Sequence, residues 1–69
     1  MTQHQQIRKY LDDFGSITPM NAFFDLGITK LATRIGEMEK RGTPISKTME
    51  TGKNRYGKPM RYMRYRLAE

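Results

Sequence analysis

Gly52-Lys53-Asn54-Arg55-Tyr56-Gly57-Lys58 reproduces the glycine and lysine spacing of a phosphate-cradling loop. Pro59 stands where that loop needs a magnesium-binding Ser or Thr, and no helical pattern follows it. Nucleotide binding is therefore set aside. Other chemistry-bearing groups are sparse. His4 is the only histidine and lies in what reads as a loose beginning, so it is read as neither metal ligand nor catalytic base. Asp12 and Asp13 are neighbours, about 100° apart on a helix, which suits two solvated charges better than a paired acid site. The absence of cysteine excludes a disulfide framework and any thiolate metal site. A chain of 69 residues is also short for a large enzyme cleft. No catalytic residue, metal or cofactor is expected.

What remains is charge. Thirteen Lys and Arg against seven Asp and Glu give a net charge of +6. The distribution is lopsided: residues 1–29 hold two cations and three acids, and residues 30–69 hold eleven cations and four acids. Within 51–66 stand six cations (Lys53, Arg55, Lys58, Arg61, Arg64 and Arg66) and no acid. Such a cluster repels itself unless a polyanion neutralises it, and nucleic acid is the first candidate. A membrane surface competes less well, because the basic segment lacks an apolar amphipathic face. No apolar run is long enough to span a bilayer and no charged-then-apolar leader opens the chain. The expectation is a soluble protein of a reducing, cytoplasmic compartment. A chain of this size buries roughly 60% of its unfolded surface, enough for one domain over residues 1–69.

The apolar pattern supplies the elements. Ile7, Tyr10, Leu11 and Phe14 share one helical face and predict a first helix over 3–14, stopped by Gly15. Ser16-Ile17 reads as a minimal strand. Thr18-Pro19 is a helix start, and Ala22, Phe23 and Leu26 line a second helix over 19–26 that ends at Gly27. After Ile28, expected to be buried, Thr29 is placed to cap a third helix over 30–41, with Leu31, Ala32, Ile35 and Met38 inward. Gly36, costly inside a helix, suggests a tight helix contact. From Pro44 the period drops to two. Residues 44–67 read as a β-hairpin whose long basic tip spans Thr51 to Pro59, with Tyr65 inward and Tyr62 outward. The six methionines read as core fillers and an initiator. The fold class is α+β: three helices followed by a two-stranded hairpin.

Two or three residues between the second and third helices suit a helix-turn-helix corner. The outward face of the third helix would then carry Lys30, Thr33, Arg34 and Glu37, with Lys40 and Arg41 near its end. A helix of this kind fits the major groove of duplex DNA.

Here the chain resembles a winged helix-turn-helix domain, and more narrowly the small helix-turn-helix proteins of phages and prophages. The resemblance rests on Gly15-Ser16-Ile17-Thr18-Pro19, Leu26-Gly27-Ile28-Thr29, Leu31-Ala32-Thr33-Arg34-Ile35 and Lys40-Arg41-Gly42-Thr43-Pro44-Ile45. It ends on Gly57-Lys58 and Tyr65-Arg66-Leu67. It implies double-stranded DNA binding, with the third helix as reader and the hairpin as wing. On that basis Lys30, Thr33, Arg34 and Glu37 are expected at bases, and Thr18, Thr29, Lys40 and Lys47 at phosphates. Lys53, Asn54, Arg55, Tyr56, Lys58 and Arg61 are expected to form the wing contact. Glu39 departs from the pattern, since such domains often carry a cation there. The expected function is a phage or prophage transcriptional regulator without enzymatic activity, working as a homodimer or cooperative array. Two alternatives are an excisionase-like factor that bends DNA beside an integrase, and a phage inhibitor of a host protein.

Overall fold

The computed structural model describes residues 1–68. Its elements are α1 (Gln3–Phe14), α2 (Pro19–Leu26), α3 (Leu31–Lys40), β1 (Ile45–Lys53) and β2 (Pro59–Leu67). Three helices followed by an antiparallel hairpin is the expected architecture.

Local chemistry sets most boundaries. The Thr2 hydroxyl accepts from the Gln5 amide while the Gln5 side chain accepts from the Thr2 amide, a reciprocal cap for α1. Thr18 and Asn21 repeat the device at α2, where Pro19 supplies the first helical residue. Gly15 (φ 83°) and Gly27 (φ 69°) end these helices in the left-handed region, where a Cβ would be strained. The start of α3 departs from expectation. Its N-cap is Lys30, which makes no side-chain capping bond, and Thr29 lies one residue too early to cap it.

The hairpin is longer in strand and shorter in loop than the sequence suggests. Pairing runs from Ile45–Leu67 to Lys53–Pro59, so Thr51 and Gly52 belong to β1 and only residues 54–58 turn the chain. Asn54 makes that turn: its Oδ1 accepts from the amides of Tyr56 (2.9 Å) and Lys58 (3.0 Å). The minimal strand at 16–17 is a single bridge. Ile17 and Tyr65 exchange two backbone hydrogen bonds of 2.9 Å, tying the α1–α2 link to β2.

Ile7, Leu11, Ile17, Ala22, Ile28, Leu31, Ile35, Met38 and Tyr65 form one buried cluster, flanked by Tyr10, Leu26, Ile45, Met63 and Leu67. Three residues expected inside lie outside. Phe14 ends α1 beyond the reach of the core, Phe23 turns to one flank of α2, and Ala32 sits about 100° from the inward Leu31. Of the methionines Met38 is buried in the core and Met63 packs against it, whereas Met20 and Met49 are exposed. Gly36 makes no tight contact, because a Cβ built on it meets nothing within 4 Å.

Gly36→Ala therefore gains helix propensity without a clash. The expected effect is a stabilisation of about 1 kcal/mol, or roughly 4–8 °C in melting midpoint, checked by thermal circular dichroism.

Candidate nucleic-acid interface

The inward positions of α3 fix the outward ones. With Leu31, Ile35 and Met38 buried, a helix of about 100° per residue turns Thr33, Gly36 and Lys40 away from the core. Lys30 and Glu37 fall on one side of that line, and Ala32 and Glu39 on the other. Lys30, Thr33 and Lys40 are exposed, as expected of contact residues.

Arg34 and Glu37 do more than project. The Arg34 Nε donates to Gln3 Oε1 of α1 (2.8 Å), and its Nη1 donates to both carboxylate oxygens of Glu37 (3.2 Å each). His4 completes the group: it bonds Glu37 through Nε2 (2.7 Å), and Arg41 donates to its Nδ1 (3.3 Å). Far from loose, His4 is half-buried in the first turn of α1 and braces the flank of α3. Spacing within a single element could not reveal bonds between residues 31 to 37 positions apart. The bond from His4, reinforced by Arg34, holds the Glu37 carboxyl below its usual range.

The other flank of α3 meets the hairpin. Glu39 accepts from the Lys47 ammonium (2.8 Å), which raises the pKa of that lysine. The acid that departs from the family pattern thus faces β1, where it partners Lys47. Across the hairpin, Arg64 donates to both oxygens of Glu50 (3.0 and 2.9 Å) and to Ser16 Oγ (2.8 Å). The acid-free stretch 51–66 is therefore partly neutralised from the opposite strand, and Arg64 holds the Glu50 carboxyl low.

Of the other expected contact residues, Thr18 is buried and spent on capping α2, and Thr29 is exposed. Asn54 has its carbonyl committed to the turn, which leaves Arg55 and Tyr56 exposed at the apex. Lys53, Lys58 and Arg61 are exposed along the hairpin. Among the described residues, Lys30, Lys40, Lys53, Arg55, Lys58 and Arg61 form no ion pair. No group of three or more metal-ligating side chains occurs among those residues, and no helix is long and apolar enough to cross a membrane.

A family model described as a winged helix-turn-helix domain matches residues 2–69. Searches of curated proteins and of solved structures found no match.

The depressed carboxyls link stability to pH. Glu37 and Glu50 bind protons less readily folded than unfolded, where the ordinary value is 4.5. Their contribution is complete above that value and is lost as pH falls through the lower folded values. Thermal melts should show a midpoint that drops on acidification below 4.5, with Glu37→Gln removing part of the dependence.

Proposed function

Because the chain belongs to the winged helix-turn-helix domain family, a DNA-binding fold, we propose that it is a sequence-specific double-stranded DNA-binding protein. In this role it is a transcriptional regulator of the phage or prophage kind, acting in the cytoplasm on the nucleoid and without a catalytic step. Chief support comes from the cations that have no acidic partner among the described residues. Lys30 and Lys40 stand on α3, and Lys53, Arg55, Lys58 and Arg61 on the hairpin. Some other charges are paired across elements, as at Glu39–Lys47 and Glu50–Arg64. Exposed cations without ion pairs on two elements of one small protein suit a phosphate backbone.

Within this proposal α3 lies in the major groove with Lys30 and Thr33 at base edges. Arg34 reads from a prepared position: Gln3 and Glu37 hold its Nε and Nη1 and leave Nη2 to reach a base. Glu37 acts through Arg34 rather than on a base of its own. Thr29 and Lys40 hold phosphates, whereas Thr18, buried and engaged in capping α2, is left out of the backbone contact. Lys47, exposed and with further ammonium donors beside the one given to Glu39, reaches a phosphate while keeping that partner. The hairpin lies on the adjacent backbone or minor groove with Lys53, Arg55, Lys58 and Arg61, and Asn54 keeps the Arg55–Tyr56 apex in shape.

Selection from random duplexes at two salt concentrations tests the proposal. One motif should be enriched, and contact with about five phosphates should give a slope of log affinity on log salt near −4 to −5. Arg34→Ala should relax sequence preference by roughly 1–3 kcal/mol, while Arg55→Ala weakens all sequences alike. Equal losses on selected and random duplex for Arg34→Ala would remove it from the reading set. A folded chain that shifts no duplex at low salt would overturn DNA binding and favour a host protein as target.

A further inference from the structure

All three phenylalanines of the chain lie on its surface: Phe14 is 70% exposed, Phe23 53% and Phe24 74%. Single exposed apolar residues are ordinary, but contiguous apolar patches mark interaction sites. Here they fall into two patches, neither of which includes a residue of α3.

The first patch is a groove of about 980 Å³ between α2 and the hairpin. Met20, Phe23, Phe24, Met49 and Met60 give it an apolar lining, and Lys53 and Arg61 give it positive charge. The second lies at the end of α1, where exposed Phe14 borders a shallow hollow that Lys9 and Leu26 also line; Phe14 is its knob. Phe14 stacks on Tyr10 with ring centroids 4.5 Å apart, and the Tyr10 hydroxyl donates to Asp25 of α2. Asp13, paired with Lys9, borders the same surface. Asp25 has no cationic partner among the described residues. The knob is thus apolar with an acid beside it that forms no ion pair among the described residues, and the groove is apolar with two such cations beside it.

Placement decides how these patches can meet. Phe23 and Asp25 are two residues apart on α2, so they leave the helix about 160° apart. Groove and knob therefore lie on opposite flanks of one helix. A surface whose complement lies on the far side of the same molecule forms a heterologous contact, which propagates instead of closing as a two-fold dimer. We propose that the chain assembles head to tail with copies of itself, the Phe14–Tyr10–Asp25 knob of one copy seated in the α2–hairpin groove of the next.

The charge complementarity favours a second copy over an unrelated partner, since one chain carries both halves of the match. Aromatic side chains bury about 150–250 Å² each, so a few of them fall short of the roughly 800 Å² per partner of a standard interface. The contact is therefore a weak one, formed by copies free in solution.

Sedimentation velocity of the full chain without DNA tests assembly independently of duplex binding. The wild type should show a weight-average coefficient that rises with concentration at low salt and rises less at high salt. Phe14→Asp and Phe24→Asp should each weaken that association by roughly tenfold or more. Both positions are exposed, and melting curves establish that the variants fold. An equimolar mixture of the two variants retains one intact knob and one intact groove, so it should form a dimer and grow no further. The proposal is overturned by a wild type that stays monomeric at every concentration, by single variants that associate like the wild type, or by a mixture that associates no better than either variant alone. The last result would mean that like faces pair with like.

Discussion

The two-way backbone pairing of Ile17 with Tyr65 is the constraint on which the rest of the molecule depends. A two-stranded hairpin is marginal by itself. This one is anchored because β2 is clamped between β1 and a single residue of the α1–α2 link. The side chains of the bridging pair are both buried, so the backbone bonds form in a dry setting. Ser16, beside the bridge, accepts from Arg64, and Arg64 in turn holds Glu50 of β1. Immediately after it, Thr18 caps α2. The same few residues therefore position the hairpin, the start of the second helix and, through the turn at Gly27, the third.

Local signals made most of the fold legible from the sequence. The bounds of α1 and α2 follow from Thr2, Thr18-Pro19, Gly15 and Gly27, each of which acts within one turn of its own helix. Tyr65 was readable as inward from the period of two. The failures share a cause. Apolar periodicity identifies a face but not what lies opposite it, so Phe14, Phe23 and Ala32 read as core although nothing covers them. The turn that Asn54 builds was not legible, because composition marks a loop without showing which atom shapes it. The partners of Arg34, Glu39 and Arg64 come from other elements, and no spacing within one element encodes such pairs.

Those pairings change the meaning of the net charge. The +6 is not a uniform coat. Acids that the tertiary structure brings close absorb Arg34, Lys47 and Arg64, while other cations on α3 and the hairpin remain without ion pairs among the described residues. The braces also stiffen the sides of α3: α1 supports one through Gln3 and His4, and β1 supports the other through Lys47. A helix held on both sides can present its third side in one orientation, which lowers the entropy lost on docking.

The bridge has a kinetic side as well. The helices and the hairpin consist of near-neighbour contacts, which form on the microsecond scale. Ile17 and Tyr65, by contrast, lie 48 residues apart, the same span as the adjoining Ser16–Arg64 bond. Closing so large a loop demands chain entropy before any burial repays it. Substitutions at either end of the bridge thus bear on how fast the protein reaches its native state as well as on how long it stays there.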